Sequence, residues 1–221
     1  MTIEEFSAKL LNRNEPMRVH LIGVAGSGMS GLARLLLEMG HRVSGSDRVT
    51  SGETERLRSS GLEFSTPHSA EAVKDVDAVI YSSAIRPENP ALAAATKAGT
   101  STFRRAECLA AILHTKSGVI VSGTHGKTTT SSMIAHILRK GELAPCHYVG
   151  AEIPVLGSNA EWNEEGEFLV AEGDESDGTL ALYKPKHVIV LNVEEEHLDF
   201  YTRGIEQIRE VFNTLLDQTS G

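Results

Sequence analysis

The sequence predicts an α/β fold in which parallel sheets are covered by helices and two nucleotide-type units follow one another. Two observations carry this. Apolar runs of about four to seven residues alternate with longer stretches of helical period, the strand, turn, helix pattern of a parallel sheet. Two glycine-rich turns also lie about 100 residues apart, each following a buried run and opening a helical stretch.

Taken in order, Ile3, Phe6, Leu10 and Leu11 recur at helical spacing and predict a short amphipathic helix before Pro16. Strands are expected at 18–23, 42–46, 77–82, 118–122, 168–171 and 188–191, where the apolar runs are bounded by polar or glycine residues. Helices are expected at about 28–39, 53–60, 88–98, 104–114, 127–140 and 204–217. Several meet a glycine at the end (Gly40, Gly61, Gly99, Gly141), the residue that most readily takes the left-handed conformation closing a helix. Residues 141–166, broken by Pro145, Gly150, Pro154 and Gly157, predict no long element. The first unit's strands run out within 100–115, which gives domains of 1–107 and 108–221 with no Pro/Ser-rich linker between them.

The 221 residues are 40% hydrophobic and 23% charged, the composition of an ordinary globular chain with a buried core. A net charge of −9 without a Lys/Arg block argues against nucleic-acid binding, so any phosphate must be held locally. No apolar run approaches the roughly 20 residues of a bilayer span, and the N-terminus lacks the basic-then-apolar order of a secretory signal. A cytoplasmic protein with no membrane insertion is expected. Cys108 and Cys146 lie far apart with no C-x-x-C spacing and read as reduced, structural thiols.

In the first turn, GSGMSG (26–31), the residues Gly26, Gly28 and Gly31 match G-x-G-x-x-G, and Asp47 follows 21 residues after Gly26. Such glycines let backbone N–H groups approach a diphosphate at a helix N-terminus, and an acidic residue after the next strand suits a ribose hydroxyl. The same residues also fit a purely structural role, with glycines for close packing and Asp47 as a helix cap. NAD and UDP-sugars present similar diphosphates, and the motif does not separate them.

The second turn, GTHGKT (123–128), is a phosphate loop in chemistry, two residues shorter than G-x-x-x-x-G-K-[ST]. Its amides can cradle the β- and γ-phosphates of ATP, Lys127 offsets their charge, and the Thr128 hydroxyl suits Mg²⁺. His125 either touches phosphate or shapes the loop. Two acidic segments end later strands: EGDESD (172–177) and NVEEEHLD (192–199). Ligands of parallel sheets sit beyond the carboxyl ends of the strands, so both segments should converge on the phosphate loop. Glu172 is a candidate Mg²⁺ ligand beside Thr128, and His197 either binds a second metal or orients an acceptor. Asp174, Glu175 and Asp177 fit caps or substrate-positioning groups equally. The acidic run 161–167 reads as a solvated loop.

These segments, together with SSAI (82–85), Asn89, Pro90 and RAECL (105–109), resemble the Mur ligase family from Arg18 to the end of the chain. The resemblance implies a Rossmann-like first domain holding the UDP of a UDP-sugar and a P-loop-type central domain holding Mg·ATP. It places Gly26, Ser27, Gly28, Gly31, Asp47, His68, Ser82 and Ser83 at the UDP-sugar. It places Gly123, Thr124, His125, Gly126, Lys127, Thr128 and Thr129 at ATP. Lys127, Glu172 and His197 become the catalytic set, with Thr128 and Glu172 around the metal bridging the phosphates and His197 on a second metal. The implied reaction joins L-alanine to the carboxylate of UDP-N-acetylmuramate through an acyl phosphate, with ATP and Mg²⁺, in peptidoglycan precursor synthesis. Glu196 stands where the family commonly has Asp before the His. The family has three domains, so this chain is expected to end within the central one, as a fragment or a shortened member. Rival readings are the related murein peptide recycling ligase, a folate polyglutamate ligase, a nucleotide-binding module without turnover, and an NAD oxidoreductase.

Overall fold

The computed structural model describes residues 1–221 and divides into two compact units, Met1–Ala111 with Ala160–Trp162, and Ile112–Asn159 with Asn163–Gly221.

In the first unit, α1 (Ile3–Leu10) starts at a capping box in which Thr2 and Glu5 exchange side-chain and backbone bonds. Its apolar stripe puts Phe6 and Leu10 in the core, and the Phe6 ring stacks on Phe103 at 4.5 Å. Five parallel strands follow: β1 (Arg18–Ile22), β2 (Arg42–Ser46), β3 (Glu63–Ser65), β4 (Ala78–Tyr81) and β5 (Ser101–Arg104). Between and after them run α2 (Ser27–Glu38), α3 (Gly52–Ser59), α4 (Pro90–Ala98) and α5 (Arg105–Leu113). The sheet order is β3-β2-β1-β4-β5, so the order reverses between β1 and β4. That reversal opens a crevice above the carboxyl end of β1, where the first glycine turn lies. Ile22 and Val79 pack with Ala91, Leu92 and Ala95 of α4 to cover the sheet on that side.

The second sheet is built of β6 (Ser117–Ser122), β7 (Cys146–Tyr148), β8 (Ala160–Glu161, which is counted with the first unit), β9 (Phe168–Gly173) and β10 (His187–Val190). They lie in the order β10-β6-β9-β7-β8, and α6 (Lys127–Lys140) and α7 (Ile205–Asp217) complete the second unit. Parallel pairing aligns Ser122 with both Gly173 and Val190, so β6, β9 and β10 end level with one another. The buried face of this sheet, Val119 and Val170, packs on Ala135 of α6.

The strand and helix pattern matches the expected one, with four additions. β3, β5, β7 and β8 lie outside the predicted strands, and β5 closes the first sheet within the 100–115 stretch where its strands are expected to run out. Residues 141–166 contain β7 and β8. Gly40, Gly61 and Gly99 take the expected positive φ, but Gly141 ends α6 at φ −80°, a conformation open to any residue. Both cysteines are buried and neither forms a disulfide.

The stacked pair ties α1 to the sheet. Phe6→Ala should lower unfolding free energy by about 3–5 kcal/mol, measured by denaturant titration; a loss under about 1 kcal/mol would show that α1 contributes little to the first core.

Candidate functional site

At the first glycine turn the backbone is held from β2. Gly23 and Val24 N–H groups donate to the Ser46 carbonyl at 2.8 and 3.3 Å, and Ala25 N–H donates to Asp47 Oδ2 at 2.9 Å. Asp47 Oδ1 accepts from Arg48 N–H at 2.7 Å. Asp47 therefore braces the turn and does not cap α3, whose N-cap is Ser51. Gly26 is the N-cap of α2 and makes no side-chain cap bond. Gly26 and Ser27 are exposed and Gly28 is half-buried, while Gly31 is buried within α2.

Beneath the turn runs a chain of hydrogen bonds. His20 Nδ1 pairs with Ser44 Oγ at 2.8 Å and its Nε2 with Ser46 Oγ at 3.0 Å, and Ser46 Oγ also meets His68 Nδ1 at 2.9 Å. His68 is thereby fixed at the carboxyl end of the sheet. Burial pushes the His20 pKa down to about 4 and lowers that of His68. Ser82 lies at the end of β4 with its Oγ accepting from Ala84 N–H at 3.3 Å, and Ser83 is exposed beside it.

In the second unit the chain leaves β6 through Gly123 at φ +137° and enters α6 through Gly126 at φ +87°. A Cβ on Gly123 would meet the Asn192 carbonyl at 2.9 Å, so only glycine lets the loop lie this close to the end of β10. Asn192 is the clamp. Its carbonyl accepts from Thr124 N–H at 3.1 Å, and its side chain accepts from His125 N–H at 2.8 Å and donates to His125 O at 3.0 Å. The amides of Thr124 and His125, expected to be open to phosphate, are engaged by Asn192. The earliest bond of α6 runs from Thr130 N–H to Gly126 O at 3.0 Å, so the amides of Lys127, Thr128 and Thr129 precede the first turn and have no intrahelical acceptor. The donors the bend presents are at the helix start.

The catalytic candidates fall into two pairs. Thr128 Oγ1 donates to Glu172 Oε2 at 3.2 Å, and Glu172 Oε1 accepts from Gly150 N–H at 2.6 Å. Lys127 Nζ meets Gly123 O at 2.6 Å, Thr124 O at 3.2 Å and the Glu175 carboxylate at 2.9 and 3.1 Å. His197, at φ +54°, points Nε2 toward Glu175 Oε1 at 3.8 Å and Glu196 Oε2 at 4.0 Å. His125 Nε2 lies 3.9 Å from Glu194 and 3.8 Å from Glu196, on the exposed side of the loop.

The DESD segment now sorts by role. Asp174 Oδ1 accepts from Ser176 N–H at 3.0 Å and Asp177 Oδ1 from Thr179 N–H at 3.2 Å, both folding the turn. Glu175 is the buried member that reaches Lys127. Asn192 stood at the end of an apolar run and was legible as a strand-end polar residue, but its clamping role was not. Gly150 sits in a segment without period and gave no signal.

A hydroxyl beside a carboxylate is a hard oxygen donor set of the kind Mg²⁺ takes when phosphate and water complete its shell. No group of three or more His, Cys, Asp or Glu side chains is arranged to hold a metal ion.

Two family descriptions match the chain: the Mur ligase family catalytic domain over residues 18–117 and the Mur ligase middle domain over residues 121–220. The chain belongs to the Mur ligase family. A UDP-N-acetylmuramate–L-alanine ligase of Geobacter sulfurreducens is 45% identical over 195 residues, 88% of this chain and 42% of the relative. One of the same name from Aquifex aeolicus is 42% identical over 93% of this chain and 45% of its own length. The crystal structure of a UDP-N-acetylmuramate-alanine ligase from Thermotoga maritima superposes with a TM-score of 0.85 at 30% identity, covering 92% of this chain and 48% of that one. A UDP-N-acetylmuramate:L-alanyl-gamma-D-glutamyl-meso-diaminopimelate ligase from Neisseria meningitides gives the same TM-score at 26% identity, over 93% of this chain and 69% of that one. This Mur ligase chain spans less than half the length of the curated relatives it matches. None of its helices is long and apolar enough to cross a membrane.

The buried histidine chain predicts a pH dependence. His20 has a folded pKa of about 4 against 6.5 when unperturbed, so between these values the unfolded chain takes up a proton that the folded chain refuses. Stability should fall as pH drops from about 6.5 toward 4, by up to about 3 kcal/mol from this group, with His68 acting in the same direction. His20→Gln should flatten that slope in denaturant titrations at successive pH values; an unchanged slope would place the titration elsewhere.

Proposed function

We propose that this chain supplies the UDP-sugar and ATP sites of a UDP-N-acetylmuramate:L-alanine ligase, a first domain (residues 1–107) for the sugar nucleotide and a second domain (residues 108–221) for Mg·ATP. The observation that carries the reading is the second glycine turn: Lys127 and the open amides of α6 lie at one strand edge with the Thr128–Glu172 pair. The choice of acceptor amino acid rests on the relatives, since those 42–46% identical carry the alanine ligase name while the tripeptide-adding ligase is 26% identical.

In this reading the amides of Lys127, Thr128 and Thr129 and the Lys127 ammonium bind the β- and γ-phosphates of ATP. Thr128 and Glu172 would hold Mg²⁺, which lowers the charge on the phosphate oxygens, and His197 would hold a second cation. The carboxylate of UDP-N-acetylmuramate attacks the γ-phosphorus and ADP departs. The amine of L-alanine then attacks the acyl carbon and phosphate leaves. Two anions must approach in the first step, so the work of these residues is positioning and charge neutralisation, and no side-chain nucleophile is needed. At the first turn, the α2 amides from Ser27 onward, with His68, Asp47, Ser82 and Ser83, would line the uridine diphosphate.

Two variants test this by calorimetry on the 221-residue chain. Lys127→Ala should weaken ATP binding about 10- to 150-fold, the worth of hydrogen bonds to a charged group, with the circular dichroism spectrum unchanged. Glu172→Gln should raise the Mg²⁺ concentration needed for half-maximal ATP binding about tenfold or more. Unchanged ATP affinity in the first variant would remove the phosphate assignment, and an unchanged Mg²⁺ titration in the second would make Glu172 a brace for Gly150 alone.

A further inference from the structure

Lys127 has no N–H to spare. An ammonium has three donors, and around Nζ stand two carbonyl oxygens of its own loop, Gly123 and Thr124, and both oxygens of Glu175. The carbonyls move with the bend and stay. Glu175 comes from a different element, the turn after β9, and is the one partner that can be exchanged. Its side chain is only 5% exposed, so its charge is answered by protein groups and not by water. Those groups are Lys127 and, at 3.8 Å, His197. The turn that carries it is pinned: the Tyr201 hydroxyl donates to the Glu175 carbonyl, and Asp174 and Asp177 fold the flanking residues.

From this arrangement we infer that Glu175 occupies the place of the terminal phosphate, holding the Lys127 ammonium until a polyphosphate displaces it, and so sets the affinity of the loop for nucleotide. This rests on the reading of the loop as the triphosphate site. A γ-phosphate on Lys127 and a carboxylate still bonded to it would put two anions against one cation in a poorly solvated place, so one must leave. The carboxylate's other neighbour is His197 Nε2, 3.8 Å from Glu175 Oε1. Lys127 thus exchanges a fixed anion for a diffusible one, and the empty loop never holds a buried unpaired charge, which would be the costlier state.

The test compares wild type with Glu175→Gln, which keeps the shape and removes the charge, in calorimetric titrations with ATP and with inorganic tripolyphosphate in EDTA. Glu175→Gln should bind both about five- to tenfold more tightly, since one competing ion pair of roughly 1 kcal/mol corresponds to that factor. If wild type binds and the variant binds equally or more weakly, Glu175 is a support for Lys127 and the inference falls while the loop assignment stands. If neither binds, the loop assignment falls as well. A wild-type measurement covers the case in which the variant does not fold. The carboxyl ¹³C resonance of Glu175 should shift on saturation with tripolyphosphate, and a resonance that stays fixed would show the pair intact and overturn the inference.

Discussion

Parallel strands that end level with one another are the constraint on which the second unit depends. Because Ser122, Gly173 and Val190 share a register, the segments leaving β6, β9 and β10 emerge side by side. Lys127, the 172–175 segment with Glu172 and Glu175, and Asn192 are far apart in sequence yet come together at the bend and the start of α6. The glycines at 123 and 126 make the bend short enough to lie on Asn192. Asn192 in return engages the amides of Thr124 and His125, while those of Lys127, Thr128 and Thr129 have no acceptor within α6. The loop thus has some of its donors satisfied by protein and others left at the helix start.

Charge placement follows the same logic in a chain of net charge −9. A polyphosphate is not drawn in by an overall positive field; it must find a site where local cations and helix-start amides outweigh the surroundings. Glu172 and Glu175 both sit within that site, with opposite consequences. Glu172 faces the Thr128 hydroxyl and the Gly150 amide, partners that leave a carboxylate free to meet a hard cation. Glu175 faces the Lys127 ammonium instead, and in the proposed reading it opposes an incoming anion. The first unit has no lysine in its glycine turn and braces that turn with Asp47 and the Ser46 carbonyl.

The long elements were legible because each needed a full apolar stripe or run to be buried. The strands that escaped notice needed less. At the sheet edges, β3 contains one apolar residue and β5 buries only Phe103, with ladder bonds to one neighbour supplying the rest. The site residues were legible in kind, since glycines, Lys127, Thr128 and Glu172 occupy recognisable positions at strand ends. What the sequence could not reveal was pairing. Nothing in DESD distinguishes the two aspartates that fold the turn from the glutamate that reaches across to Lys127, because that difference arises from turn geometry and from Tyr201 holding the Glu175 carbonyl.

The central claim is that a metal-bound triphosphate sits on the start of α6 between Lys127 and Glu172. Crystals grown with a non-hydrolysable ATP analogue and Mn²⁺ in place of Mg²⁺ report on it directly through anomalous scattering. The account predicts a Mn²⁺ peak touching Thr128 Oγ1 and the Glu172 carboxylate, with the terminal phosphate on Lys127. Mn²⁺ bound elsewhere, or a triphosphate that leaves the α6 amides unengaged, would contradict it.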